Sequence, residues 1–487
     1  MIDVYEEFLA DYPDYASTHA IDALRAREYR RLDDQHHVYL DYTGGSLHAE
    51  SQVLEHARLL NEHIFGNPHS ASPSSHSMTT LVERTRRAVL DWFNASPDEY
   101  VAIFTANATG ALKHVGESYP FSPGAGLLLT VDNHNSVNGI RQFAQARGAP
   151  VEYAPLMLPE LRIDRGNLDA MLAAPSTGPG LFAFPAQSNF TGVKHPLDLI
   201  ELAHTRGWDV LVDAASFVPT NQLDLSQVKP DFVTISFYKM FGYPTGVGCL
   251  LARSPALAAM KRPWFAGGTV SFATVGGRAC ILYTGEAGFE DGTLNYLAIP
   301  AVEVGLHHLR SVGIDTITTR VRCLTSWLLE RLVLLQHSNG HHMVRIYGPT
   351  TTDSRGGTIA MNFYDPEGHL IDYRRVEEMA GAAGISLRTG CFCNPGAGET
   401  AEGITEADVR AALELDANMN LGRFLELVTS RGGKSAGAMR VSFGIASNFA
   451  DAHCFLQFAE SLRDQTRLAI GSVTCDIAEG RAIRDGA

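Results

Sequence analysis

The chain has 487 residues, 45% of them hydrophobic and 19% charged, which is the composition of a folded globular protein. Lysine and arginine number 39 against 54 aspartate and glutamate, a formal charge of −15. An acidic field argues against nucleic acid or an anionic membrane surface as a partner. No run approaches the roughly 18 apolar residues of a membrane span, and the acidic N-terminus lacks the basic and apolar segments of a signal peptide. Seven cysteines, few and odd in number, suit a reducing compartment. The composition therefore predicts a soluble cytoplasmic protein, with an enzyme as the default class.

In chain order, the first forty or so residues read as helices. From about residue 85 to residue 252, short apolar runs alternate with helical patterns. The runs are YVAIFT (100–105), GLLLTV (126–131), GLFAFP (180–185), DVLVDA (209–214), FVTISF (232–237) and GCLLAR (248–253). Continuous apolar strands interleaved with helices predict an α/β unit whose mostly parallel sheet is covered on both faces. After about residue 310 the rhythm changes. A long amphipathic helix is expected over 316–336, then strands at TIAMNFY (358–364), ISLRTG (385–390) and AMRVSFG (438–444). This predicts a large α/β domain over 46–305 and a smaller α+β domain built from 1–45 and 306–487. Beyond about residue 470 the periodicity weakens and a loosely held tail is expected.

Ligands of open α/β sheets bind at the carboxyl ends of the strands. The segments there are TANATG (105–110), DNHNS (132–136), SNFTG (188–192), Asp213, and Tyr238-Lys239. Five polar strand ends in succession, holding a lysine and an aspartate, point to one pocket. Lys239 has apolar neighbours and a glycine-rich stretch after it. Desolvation would lower its pKa and leave a neutral amine able to condense with a carbonyl; a surface loop lysine is the plainer alternative. Asp213 follows Val210-Leu211-Val212, and a carboxylate there needs a cationic partner, such as a protonated pyridine nitrogen. Otherwise it serves as a helix N-cap.

Eight segments in order carry a resemblance: YLDYTGG (39–45), FGNPHS (65–70), DNHNSV (132–137), FPAQSNFTG (184–192), SFYKMFG (236–242), EDGTLN (290–295), RTGCFCNPGA (388–397) and MRVSFG (439–444). Over about residues 37–468 the chain resembles a class V, fold-type I enzyme dependent on pyridoxal 5′-phosphate (PLP), of the cysteine desulfurase group. Within that group it is most similar to the desulfurase domain of molybdenum-cofactor sulfurases. The resemblance implies that Lys239 holds PLP covalently, that Asp213 faces the pyridine nitrogen, and that His134, also a catalytic candidate, stacks on the ring. It gives Asn189 the phenolate oxygen, and Ala108, Thr109 and Ser236 the phosphate, a helix N-terminus being suited to an anion. Thr293 corresponds to a residue given to the phosphate by a neighbouring subunit, which implies a homodimer. Arg440 corresponds to the arginine that takes the substrate carboxylate, and Asn67 joins it as a substrate-binding candidate. Tyr238 stands where many relatives have histidine, and Ser216 where many have glutamine; both remain candidates for cofactor contact.

A sulfur-transfer enzyme needs a mobile nucleophilic thiolate. Aligned on RTG, Cys393 falls where the group's persulfide-forming cysteine lies. Cys391 is a second thiol, and Arg388 is close enough in sequence to stabilise a thiolate. Two structural cysteines are the alternative reading, whereas a metal site lacks a second ligand pair. The expected activity is conversion of L-cysteine to L-alanine, with a persulfide passed to an acceptor protein or cofactor. Eukaryotic relatives carry a further C-terminal domain for which this chain leaves no room, so an acceptor other than the molybdenum cofactor is expected equally. Alternatives are another class V PLP reaction (transamination, epimerisation or C–S lysis) that does not use Cys393, or a non-catalytic sulfur carrier. Two motif matches are rejected as loops: 396–401, which mimics a dinucleotide fingerprint outside any βαβ unit, and Gly433-Lys434-Ser435, which mimics a P-loop end.

Overall fold

The computed structural model describes residues 2–68, 70–174, 178, 180–415, 435, 437–476 and 481–484. Seven strands form the large sheet: β1 (Tyr100–Thr105), β2 (Leu127–Thr130), β3 (Val151–Ala154), β4 (Leu181–Pro185), β5 (Asp209–Asp213), β6 (Phe232–Ser236) and β7 (Gly248–Arg253). Their spatial order is β1-β7-β6-β5-β4-β2-β3. Pairings from β3 through β6 are parallel, while β7 runs antiparallel to both neighbours. The link from β6 to β7 is too short for the crossover that a parallel return demands, so the chain doubles back. The apolar runs predicted six of the seven strands, all but β3, because sheet faces covered by helices call for unbroken apolar stretches, and β4 and β6 are buried at every position. β3 escaped notice because it is a half-buried edge strand, VEYA, without a continuous apolar run.

A second sheet contains β8 (Val344–Tyr347), β9 (Thr358–Phe363), β10 (Arg388–Gly390) and β11 (Ala438–Ser442) in the order β8-β9-β11-β10, all antiparallel. The ISLRTG run is divided. Ile385–Ser386 pairs in parallel with Val38–Tyr39, and only β10 joins the sheet. That pairing carries the chain on to Asp41, which bridges Ser442 at the end of β11. The helix expected over 316–336 is observed as Ile314–Val333, preceded by a helix Pro300–Val312 that stops at Gly313 with φ of 87°. A left-handed backbone is natural only for glycine and ends the first helix there.

The N-terminal helices Ile2–Asp11 and Ala20–Glu28 pack where the second sheet's helices lie. Phe8 meets Trp327 and Phe449, and Arg320 bonds Asp22 at 2.5 and 2.8 Å. The tail departs from expectation, since Val473–Asp476 pairs antiparallel with Arg481–Arg484. So does the GAGETA stretch, which is helical within Pro395–Glu402, whereas Gly433 and Lys434 lie outside the described residues. Among the described residues no helix is long and apolar enough to cross a membrane.

Candidate active site

A cavity of about 330 Å3 opens at the carboxyl ends of the large-sheet strands, a volume suited to a small organic ligand. It is walled by residues of every polar strand end named above: Ala108 and Thr109 after β1, His134 after β2, Asn189 after β4, Asp213 and Ser216 after β5, and Ser236, Tyr238 and Lys239 after β6. Asn107, Ser136, Gln187, Thr245 and Gly246 also line it. The first three sit inside the quoted motifs and the last two in the stretch after Lys239, and none carries chemistry that singles it out in sequence.

Helix α1 (Ala108–Ser118) starts at the cavity wall, with the Asn107 side chain accepting from the Gly110 N–H at 2.9 Å. Unpaired amides and the helix dipole at such a start favour an anion. The hydroxyls of Thr109 and Ser136 lie 2.8 Å apart there, and Ser236 adds a third. β7 packs so tightly behind this turn that a Cβ on Gly248 would come within 2.5 Å of the Asn107 carbonyl carbon. The cradle thus has the depth of a backbone, not of a side chain.

Lys239 lies in the short helix α2 (Phe237–Phe241), stopped by Gly242 with φ of 79°. A side chain on Gly242 would also strike the His48 backbone. Burial pulls the Lys239 ammonium below its usual range; the Asp213 charge opposes this, and Arg440 adds to it. Asp213 is itself buried at the end of β5. Its Oδ1 accepts from the Ala215 N–H at 3.1 Å and the Thr234 hydroxyl at 3.3 Å, and both bonds fall on that one oxygen. The ring of His134 accepts the Ser136 N–H at Nδ1, 3.1 Å away, so its neutral form carries the proton on Nε2. Burial lowers its pKa, with Asp213 opposing and Lys239 and Arg440 adding to the effect.

Four of the expected residues do not wall the cavity. Arg440 is buried on β11, with one nitrogen on the Asn189 carbonyl at 3.0 Å and another on Asp41 at 2.8 Å. Burial lowers its pKa and Asp41 opposes that. Arg388 grips the other oxygen of Asp41 at 2.6 and 2.9 Å, and this bond raises its own pKa. Asp41 escaped the sequence reading, although it sits inside YLDYTGG, because nothing local shows that two arginines converge on it. Cys393 is exposed, Cys391 half-buried, and both are free thiols. Thr293 and Asn67 are exposed on loops. Elsewhere, His114, Glu117 and Asp291 converge, but Arg262 already bonds all three, at 2.8, 3.0 and 2.5 Å.

The fold and the strand-end site define an α/β enzyme-like scaffold of the class in which a lysine and an aspartate share one pocket. Residues 38–455 match the aminotransferase class-V family, and the chain belongs to it. It is 38% identical to the molybdenum cofactor sulfurase of Solanum lycopersicum, over 94% of this chain and 59% of that protein. The human molybdenum cofactor sulfurase is 37% identical, over 89% and 50%. The chain therefore spans between half and three fifths of these relatives' length. In fold it is similar to the apo cysteine desulfurase of Thermococcus onnurineus NA1, with a TM-score of 0.74 and 21% identity over 91% of this chain and 97% of that one. The Escherichia coli cysteine desulfurase CsdA gives 0.70 and 22% over 91% and 98%.

Proposed function

We propose that the protein is a PLP-dependent cysteine desulfurase that turns L-cysteine into L-alanine and loads the sulfur on Cys393 for an acceptor. The observation that carries this is the joint burial of Lys239 and Asp213 in one cavity beside a helix N-terminus. The donor set fits PLP: an amine whose charged form burial disfavours for its aldehyde, a carboxylate oxygen without another hydrogen bond among the described residues for its ring nitrogen, and three hydroxyls with helix amides for its phosphate. Lys239, Asp213, His134, Asn189, Ala108, Thr109, Ser216, Ser236 and Tyr238 would hold it. When bound, the group supplies a covalent anchor for the amino acid and a sink for the electrons of its α-carbon.

The chain's own residues do the rest. The Lys239 amine, whose pKa burial lowers, can take the proton from the substrate α-carbon. With the cofactor bound, Asp213 would keep a proton on its ring nitrogen, and the His134 imidazole would help to hold the ring. Arg440 receives the substrate carboxylate once Asp41 yields part of its hold. The Cys393 thiolate then attacks the substrate sulfur, the carbon–sulfur bond breaks, and the carbon fragment gains a proton and leaves as alanine.

A second copy of the chain is the expected partner, with Thr293 reaching the neighbour's phosphate cradle. The exposed apolar hairpin nearby, with Phe272, Val275 and Ile281 at 51, 97 and 60% exposure, supports that arrangement. We also take 46–305 as the large cofactor-binding domain, with 1–45 and 306–487 as the smaller one.

Incubation with PLP and L-cysteine, assaying alanine and mapping persulfide by mass spectrometry, should yield both products with the sulfur on Cys393. Finding neither would refute the proposal. The exposed position of Cys393 outside the cavity wall favours one rival, a C–S lyase that leaves the thiol idle. Full turnover in a Cys393→Ser protein would select it.

A further inference from the structure

Cys391, Phe392 and Cys393 form a tight turn in which Phe392 and Cys393 both have left-handed backbones, with φ of 53° and 54°. Neither residue favours that region, so the turn must be held from outside. Three bonds hold it. The Phe392 carbonyl accepts from Asn189 Nδ2 at 2.7 Å, and the Cys393 carbonyl accepts from the Asn135 N–H at 2.6 Å. The third is internal: the Asn394 N–H returns to the Cys391 carbonyl at 2.9 Å. Both outer partners belong to the cavity's strand ends.

The Asn394 side chain, fully buried, ties this arrangement together. Its Nδ2 donates to the Asp132 carbonyl at 2.7 Å and to Asn189 Oδ1 at 2.9 Å, while its Oδ1 accepts from the Ala397 N–H at 3.2 Å. Because a backbone carbonyl accepts only, the Asp132 contact fixes which end of the Asn394 amide is nitrogen. The Phe392 carbonyl fixes the Asn189 amide in the same way. Asn189 is thereby locked with its nitrogen on the turn and its oxygen on Asn394. Its second Nδ2 hydrogen has no acceptor among the described residues, and Asn189 lines the cavity.

We infer that Asn394 is a positioning residue that latches the thiol-bearing turn onto Asn189 and so couples docking of that turn to occupation of the cavity. One amide group makes both contacts. A ligand accepting the second Asn189 hydrogen stabilises the orientation that holds Phe392, and the docked turn favours that ligand by the same factor. Loss of Asn394 leaves the Phe392 carbonyl as the remaining group that orients the Asn189 amide, so the turn and the amide loosen together.

The latch itself is independent of the function proposed above; only the coupling rests on PLP as the ligand. The test uses Asn394→Ser in the full chain. Serine keeps a helix cap for Pro395–Glu402 but is too short to reach Asn189. Hydrogen exchange of the 388–396 and 133–138 peptides, with the protein stripped of PLP, reads the latch. PLP titration followed by absorbance reads the coupling. Exchange should quicken at least about tenfold in both peptides and the PLP half-saturation concentration rise about tenfold, since the two Nδ2 bonds of Asn394 are lost and each buried hydrogen bond contributes about 1 kcal/mol. Unchanged exchange overturns the latch, and quickened exchange with unchanged PLP affinity overturns the coupling. Asn394→Asp, which retains the cap but cannot donate, should behave as serine does; wild-type behaviour would show that only the cap matters. A wild-type protein that does not bind PLP sinks the cofactor reading and leaves the exchange result to decide the latch.

Discussion

Arg440 donates to Asp41 at 2.8 Å with both side chains at least nine-tenths buried, so the N-terminal segment and strand β11 meet through a charge pair away from bulk water. Asp41 also holds Arg388, whose side chain is half exposed. Removing one partner of a buried pair leaves an uncompensated charge and costs about 3–5 kcal/mol, whereas exposed pairs contribute under about 1 kcal/mol. Asp41→Asn should therefore lower the melting temperature by many degrees and Arg388→Ala by little. Equal shifts in differential scanning calorimetry would contradict the assignment.

Lys239 should react as an amine at a lower pH than a surface lysine. Its folded pKa is depressed by burial, so the charged form is lost earlier as pH rises. Borohydride trapping of PLP on Lys239 should reach its midpoint below the ordinary lysine value of about 10.4. The unfolded chain keeps a proton that the folded one sheds, so this residue makes stability rise with pH up to about 10.4. Lys239→Met should remove both the trapping and that slope, as urea melts at several pH values would reveal.

Gly248→Ala tests the cradle. The new methyl must displace the Asn107 backbone, which lies 2.5 Å from its position. Phosphate-bearing ligands should bind at least about fivefold more weakly, since overpacking of this kind costs about 1–3 kcal/mol, while circular dichroism stays unchanged. Unaltered PLP affinity by fluorescence titration would mean that the turn is not the phosphate site.

The apolar hairpin predicts the assembly state. Phe272→Glu with Ile281→Glu should convert a dimer to monomers in light scattering and weaken PLP retention, because Thr293 would no longer reach a neighbouring cradle. A wild-type chain that is monomeric at micromolar concentration, or a double variant that stays dimeric, contradicts the arrangement.

The apolar runs made β1, β2, β4, β5, β6 and β7 legible, because strands buried on both faces are written as unbroken hydrophobic stretches. Their polar ends named the cavity wall for the same reason: hydroxyls, amides and charges stand out where such a stretch stops. β3 was not legible, because a strand buried on only part of its surface needs no unbroken apolar run.

What sequence alone determined, then, is the class of scaffold and which side chains gather at its strand ends, since both follow from local periodicity and order. Only the tertiary structure decided the long-range pairings. Asp41 meets Arg440 and Arg388 across more than three hundred residues, and Asn394 meets Asn189 across 205. No local pattern encodes such contacts, because they exist only once two separately built sheets are packed together and buried polar groups must find partners.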